Sequence, residues 1–323
     1  LLFNSFRLSQ RELFVSSLYL IRWVAYAGVY FVVYDLTKFQ GFKVSRFKTG
    51  LIWAGVLAAI FGLFQYFFYP DLRNLSYLGF DPHKFRAFGT FLDPNFLGII
   101  LVLTMILIFC RKKISLISLM SVMGVYICLA LTYSRASYLA YLMGIGLISL
   151  IKKTPKLFLT AVFFGILTLF LLPKPSGSLG VNLQREDTIA SRIKNWKQSF
   201  VIAKDHPLFG VGFNAYRYAQ RDYGFLKEEN SRAGAGGDSS LFFVFATTGI
   251  VGVIAYLYLI YDILIYHIRK RDYVVVVSLL VILLHSFFNN TLFYPPVMLW
   301  LWILIGSTSG DKGDPSTPSG RSG

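Results

Sequence analysis

Acidic residues are scarce in this chain of 323 residues, where 16 Asp and Glu stand against 32 Lys and Arg. Charge of either sign is thin, at 15% of positions, while 55% are hydrophobic and 17% aromatic. A soluble domain carries about a quarter charged residues, so this balance excludes an ordinary soluble globule and points to lipid as the solvent. Two cysteines occur, Cys110 and Cys128, both inside apolar runs and too far apart for a metal knuckle. They read as buried hydrophobes with no redox role. No HExxH, GxSxG, phosphate-loop or CxxC pattern is present, which removes the common soluble catalytic motifs, and neither a metal nor a cofactor is expected. The net charge of +16 would suit nucleic acid. The basic residues, however, fall in short clusters between apolar runs, with no stripe along a soluble face, so no nucleic-acid partner is expected.

What the chain has is long apolar runs. Crossing about 30 Å of hydrocarbon takes about 20 apolar residues. Spans are predicted at 14–35, 50–69, 94–110, 114–132, 136–151, 157–172, 240–266 and 273–290, with a ninth, 296–306, short enough to be a half-span or a truncated helix. The expected fold is therefore all-α, a polytopic transmembrane helix bundle of about 8–9 spans with one large loop. Basic clusters occupy every second connection: Lys38, Lys43, Arg46 and Lys48; Arg111, Lys112 and Lys113; Lys152, Lys153 and Lys156; Arg269, Lys270 and Arg271. By the positive-inside rule those connections are cytoplasmic, and 70–93, 133–135, 174–239 and 291–295 face outward. The chain does not open on Met, and its first is Met105, so it is expected to begin inside a longer protein. Residues 1–306 read as a single integral-membrane domain, and the Gly, Ser, Pro and Asp-rich tail 307–323 is expected to be disordered.

Four outward patches carry the polar chemistry. In "KFRAFGTFLDPNFLG", Asp93 and Pro94 form a helix-start signal, and Arg86 is either an anion ligand near that N-terminus or a snorkelling anchor. In "LTYSRASYLA", Arg135 sits in a very short turn; an arginine at mid-bilayer costs about 2.5–3.5 kcal/mol, so either a partner or escape to the interface is expected. The loop 174–239 is too long for a connector. It mixes Arg185, Arg192, Lys197, Arg217, Arg221 and Arg232 with Glu186, Asp187, Asp205, Asp222, Glu228, Glu229 and Asp238 in near balance, so selected arginines can hold a diphosphate while others form salt bridges. Within it "REDTIASRIKNWKQSFVIAKDHP" reads as an amphipathic helix from Asp187 to Pro207, with Ile189, Ile193, Trp196 and Phe200 on one stripe. Such a helix lies in the membrane interface or packs as a lid on the bundle. The glycines of "RAGAGGDSS" either admit a ligand to backbone N–H groups or form a hinge. The fourth patch, "HSFFNNTLFYPP", holds His285, a packing histidine or a functional one.

In this order "RAFGTFLDPNFLG", "LTYSRASYLA", "SRIKNWKQSFVIAKDHPLFGVGFNAY" and "DSSLFFVFATTGIVGVIAYL" resemble the O-antigen ligase and polymerase family of bacterial polytopic membrane proteins, over most of residues 80–260. The resemblance implies a metal-independent glycosyltransferase at the outer face of the bacterial cytoplasmic (inner) membrane. Its donor would be an undecaprenyl-diphosphate-linked glycan and its acceptor a hydroxyl on a glycan, lipid or protein. It implies that Arg86, Arg135 and Arg192 hold the diphosphate; Arg217 and Arg221 are further substrate-binding candidates. One departure stands out. Where the family carries a His-Asn pair, this chain reads Gly237-Asp238, so Asp238, His206 or His285 is the candidate base, or the chain uses another acceptor or is inactive. The alternatives from other classes are a transporter of a small anion, with Arg22, Gln65 and His285 as in-span polar candidates, and a non-catalytic scaffold of a polysaccharide assembly complex.

Overall fold

A computed structural model describes residues 6–111, 113–175, 179–183, 187–226 and 237–311. The calls on Arg185, Arg232, the glycines before Gly237 and the tail from 312 onward lie outside the described residues. Regular structure among the described residues is helical, with one isolated bridge, Asp71 to Lys84, in place of a sheet. The helices are α1 Gln10–Lys38, α2 Val44–Phe68, α3 Pro94–Phe109, α4 Leu116–Leu131, α5 Arg135–Lys152, α6 Pro155–Leu171, α7 Asp187–Asp205, α8 Tyr216–Asp222, α9 Ser240–Arg269, α10 Tyr273–Ser286 and α11 Pro295–Ser309. Three of them, α1, α2 and α9, are long and apolar enough to cross a bilayer by length and composition; α3, α4, α6, α10 and α11 are shorter apolar helices.

The core is built around α3. Its sequence is apolar on every side, and residues 97–108 are buried without a break, so it has no face left for water or lipid. Pro94 opens it and Asp93 caps it, its Oδ1 accepting from the N–H groups of Asn95 at 2.6 Å and Phe96 at 3.4 Å. Close approach to α5 requires Gly98, where a Cβ would stand 2.3 Å from the Ser137 hydroxyl. Helix α11 continues through Ser307, Thr308 and Ser309, into the stretch expected as tail. The Ser307 and Thr308 hydroxyls donate to the Leu304 carbonyl at 2.9 and 3.0 Å, and Gly306 lies against the α1 backbone at Tyr30.

The basic connections gather at one end of the bundle. Lys152 Nζ donates to the carbonyls of Phe109 and Arg111, Arg111 reaches Thr49 Oγ1, and Lys270 donates to Asp311 O at 3.0 Å. The loop 70–93, the α4–α5 turn and α7 lie at the other.

Helix α7 forms where the sequence predicts it, and its stripe is divided. Trp196 stacks on Phe242 of α9 at 5.6 Å, and Ser199, Ile202 and Ala203 are buried, while Ile189, Ile193 and Phe200 stay exposed. The helix thus packs on the bundle and still presents an apolar edge.

Helix α9 is interrupted at Gly249, whose φ of 63° and ψ of −165° are not helical. The segment after α7, "HPLFGVG", threads into the interruption. Val211 and Gly212 donate to the carbonyls of Ala246 and Thr247 at 3.0 and 2.9 Å, and Ile250 donates to Pro207 O at 2.8 Å. Backbone groups freed by the break are therefore satisfied by backbone, as a low-dielectric setting demands. The approach leaves no room for side chains: a Cβ on Gly249 would stand 2.3 Å from Leu208 O, and one on Gly210 2.4 Å from the Thr247 carbonyl carbon. Alanine at Gly249 or Gly210 is expected to destabilise the protein by more than about 2 kcal/mol, through left-handed strain and this clash. Melting of the purified variants in detergent should show a clear drop; unchanged melting would contradict the described packing.

Candidate active site

The end of the bundle opposite the basic connections is assembled from five segments, and the first is pinned by Arg86. Arg86 is 4% exposed, and its guanidinium donates from Nε to Thr132 O at 2.8 Å and from Nη2 to Tyr133 O at 3.4 Å, where α4 ends. Gln65 of α2 holds the same loop from below, accepting from the N–H groups of Phe88 and Gly89 at 2.8 and 3.0 Å and donating to Arg86 O at 3.2 Å. Through these bonds the loop lies over the start of α3, with Asp81, His83 and Asp93 close together. Each puts one donor atom within 4.8 Å of the others, a grouping that could hold a metal ion.

The α4–α5 turn is the second segment. Ser134 donates to Asn95 Oδ1 at 2.8 Å, and Arg135 Nη1 donates to Leu183 O at 3.1 Å, so the loop segment 179–183 is tied to α5. Helix α7 is the third and carries Arg192 and Asn195 three residues apart, on one face. Asn195 Oδ1 accepts from the Asp238 N–H at 3.1 Å, fixing the turn before α9, the fourth segment. The α10–α11 connection closes the cup: Arg192 lies over the Phe288 ring at 5.9 Å, and Tyr294 stacks on Phe96 at 3.8 Å.

Charges of both signs meet here. Burial pushes the Asp238 carboxyl above the usual aspartate range, Arg192 opposes that shift, and Asp93 adds to it. Burial lowers Arg192, against the pull of Asp238 and with Arg135 pushing the same way. Asp81 is accessible at the rim yet crowded, and its carboxyl is pushed up to about 6 by desolvation first and then by Asp93 and Asp238, with Arg86 opposing. Asp93 is raised by burial, opposed by its bond from Asn95 N–H and by Arg86.

The remaining candidates fall elsewhere or serve differently. His285 is fully buried, with Nδ1 2.7 Å from Thr291 Oγ1 and Nε2 3.2 Å from Ser137 Oγ and 3.4 Å from Asn289 Nδ2. Both ring nitrogens are engaged, so it cross-links α5, α10 and the α10–α11 connection beneath the cup. His206 follows the end of α7 and stands edge-on to Phe6 at 5.7 Å. Arg217 and Arg221 belong to α8 and line, with Arg11 and Glu12, a cavity of about 350 Å³ at the start of α1, where Arg221 pairs with Glu12 at 2.7 Å and Asp222 at 2.9 Å. Sequence reasoning missed Asn195 and Asp81. The first was findable from its helical spacing to Arg192; the second lies in irregular chain without a period.

Apolar helices around a buried core, with a polar cup at one end, define a membrane protein. Residues 119–257 match the model of the O-antigen ligase family, in support of the resemblance carried by the motifs that lie in that segment. No curated protein matches the chain.

The crowding at Asp81 has a consequence for stability. A carboxyl whose folded value, about 6, lies above its ordinary 3.8 keeps its proton longer when folded. The associated stability is fully present below about pH 4 and is lost as pH rises to about 6. Asp81→Asn should therefore melt higher than the parent at pH 7, with the difference vanishing near pH 4. Melting curves across that range check this, and a variant that is less stable at pH 7 would contradict it.

Proposed function

We propose that the cup of Arg135, Arg192 and Asp238 transfers a glycan from an undecaprenyl-diphosphate-linked donor to an acceptor hydroxyl, in the assembly of a cell-surface polysaccharide. In this reading residues 1–306 form one integral-membrane domain of eight to nine spans in a bacterial inner membrane. The cup and the loop 174–239 face outward and the basic connections inward, in keeping with the positive-inside rule. The observation that carries the proposal is the electrostatic contact of Arg192, on α7, with both Asp238 and Arg135, inside the segment that matches the O-antigen ligase family.

The chemistry follows from those groups. The acceptor oxygen attacks the anomeric carbon, its proton passes to the Asp238 carboxylate, and the bond to the diphosphate oxygen breaks with the electron pair leaving on the diphosphate. Fixed guanidinium groups stabilise the charge that develops on the leaving group. Arg86 acts one step back, by holding the loop. Asp238 is raised by burial and held down by Arg192. A diphosphate that engages Arg192 relieves that restraint and strengthens Asp238 as a base. Single displacement predicts inversion at the anomeric carbon.

Transport of a small anion is less well supported, because two of its in-span candidates are occupied. Gln65 pins the loop 70–93, and His285 is bonded at both nitrogens. A scaffold role would leave the arginines dispensable.

Two outcomes test the proposal with the full-length parent protein restored in a host lacking its own enzyme. Arg192→Ala and Asp238→Ala, inserted normally, should accumulate the lipid-linked donor, with transfer down by about 10²–10⁴-fold for loss of the base. Donor consumption equal to the parent's in both variants would sink the reading. Transfer by washed membranes should also survive EDTA. Loss of transfer that a divalent cation restores would instead bring Asp81, His83 and Asp93 into the reaction as ligands.

A further inference from the structure

A second binding feature runs along the side of the bundle, from its basic end toward the cup, and uses none of the residues placed in the transfer reaction. Between α2 and α11, over α3, runs a lateral groove of about 530 Å³, within the size range of ligand sites. Its walls are apolar: Ala54 on α2, Trp300 and Ile303 on α11, with Phe91 closing the end beneath the cup. Gly50 leaves the α2 wall open, for a Cβ there would meet nothing within 4 Å.

Charge is present at one point of this lining. Arg46 stands at the basic end, over the Phe42 ring at 6.0 Å, and Phe42 in turn lies 6.3 Å from Phe47. An arginine in a basic connection at the start of an apolar helix marks the level of the lipid headgroups. Lys43 stands at the N-cap position of α2, three residues before Arg46, and is exposed. The polarity of the groove therefore runs from a cationic mouth to an apolar, closed end.

We propose that this groove holds an acyl chain of an anionic phospholipid from the leaflet at the basic end, with the phosphate on Arg46 and Lys43. A zwitterionic lipid would bring its own cation against Arg46, and the net negative headgroup is the one the mouth complements. The donor's polyprenyl chain fits less well. On the transfer reading proposed above its diphosphate sits at the cup, at the end where the groove presents Phe91 and no cation. A lipid seated here would fill the space between α2 and α11 and tie the two helices together.

The test uses the full chain, delipidated in detergent and offered palmitoyl-oleoyl phosphatidylglycerol or the matching phosphatidylcholine, with retained lipid read by native mass spectrometry and stability by melting. The parent should keep one phosphatidylglycerol in preference to phosphatidylcholine and melt higher with it. Arg46→Ala should weaken retention about fivefold, the effect of one basic side chain on an anionic headgroup, and Arg46→Lys should restore most of it. Gly50→Leu, which fills the groove from a position with free space, should abolish retention, whereas Lys113→Ala, outside the lining, should not change it. Equal retention of both lipids by the parent, or unchanged retention in Arg46→Ala and Gly50→Leu, would overturn the proposal. Displacement of phosphatidylglycerol by undecaprenyl phosphate irrespective of Arg46 would overturn it too, by giving the groove to the carrier.

Discussion

A guanidinium buried at the end of a helix organises the polar end of this molecule. The carbonyl of Thr132, the C-cap of α4, is among those the helix leaves without partners at the negative end of its dipole, and Arg86 satisfies it together with the Tyr133 carbonyl just past the cap. Hydrogen bonds from a charged donor stabilise by about 1.5–3 kcal/mol each, more than neutral ones, and here they fasten a loop that also buries Leu72, Ala87 and Phe88. Because the loop lies there, Asp93 caps α3, Asp81 sits against it, and the α4–α5 turn is held where Ser134 meets Asn95. Arg86 is thereby committed to the frame. In the proposed reading Arg192 and Arg135, which reach the cup from α7 and α5, are the ones that meet an anionic substrate.

A second constraint places the large loop. An interrupted helix in an apolar setting must find partners for the backbone groups it frees, and α9 finds them in the segment 207–212. That segment contains the most distinctive string of the family-like motifs, and the structure gives it a backbone task. Gly210 and Gly249 let two chains approach without side chains between them. The consequence reaches the chemistry by a short path. Docking of 207–212 fixes the end of α7, α7 carries Asn195 and Arg192, and Asn195 holds the turn of Asp238.

Much of the frame was legible because its signals are periodic or local. Apolar runs gave the helices within a few residues, Asp93-Pro94 gave the start of α3, and Asp187 and Pro207 bracketed α7. The misplaced boundary at α11 is instructive: Ser307 and Thr308 look like tail residues by composition but bond back to Leu304 inside a helix. The cup was only partly legible. Arg135, Arg192 and Asp238 could be named as candidates one by one, and their meeting could not, since it depends on how α7 lies across α9. Arg86 looks alike in sequence whether it binds a substrate or a carbonyl. His285 likewise reads as a lone polar residue until Thr291 and Ser137 are seen on either side of it.

In the proposed reading the two ends of the bundle divide the work, a basic end that orients the protein against lipid and a mixed-charge cup where an anionic donor and a hydroxyl acceptor meet. The most direct test of that account is release of free polyprenyl diphosphate by the purified full-length protein in liposomes loaded with a lipid-linked glycan. The account predicts release that depends on added acceptor and vanishes in Arg192→Ala. Release that ignores the acceptor, or that persists undiminished in Arg192→Ala, would contradict it.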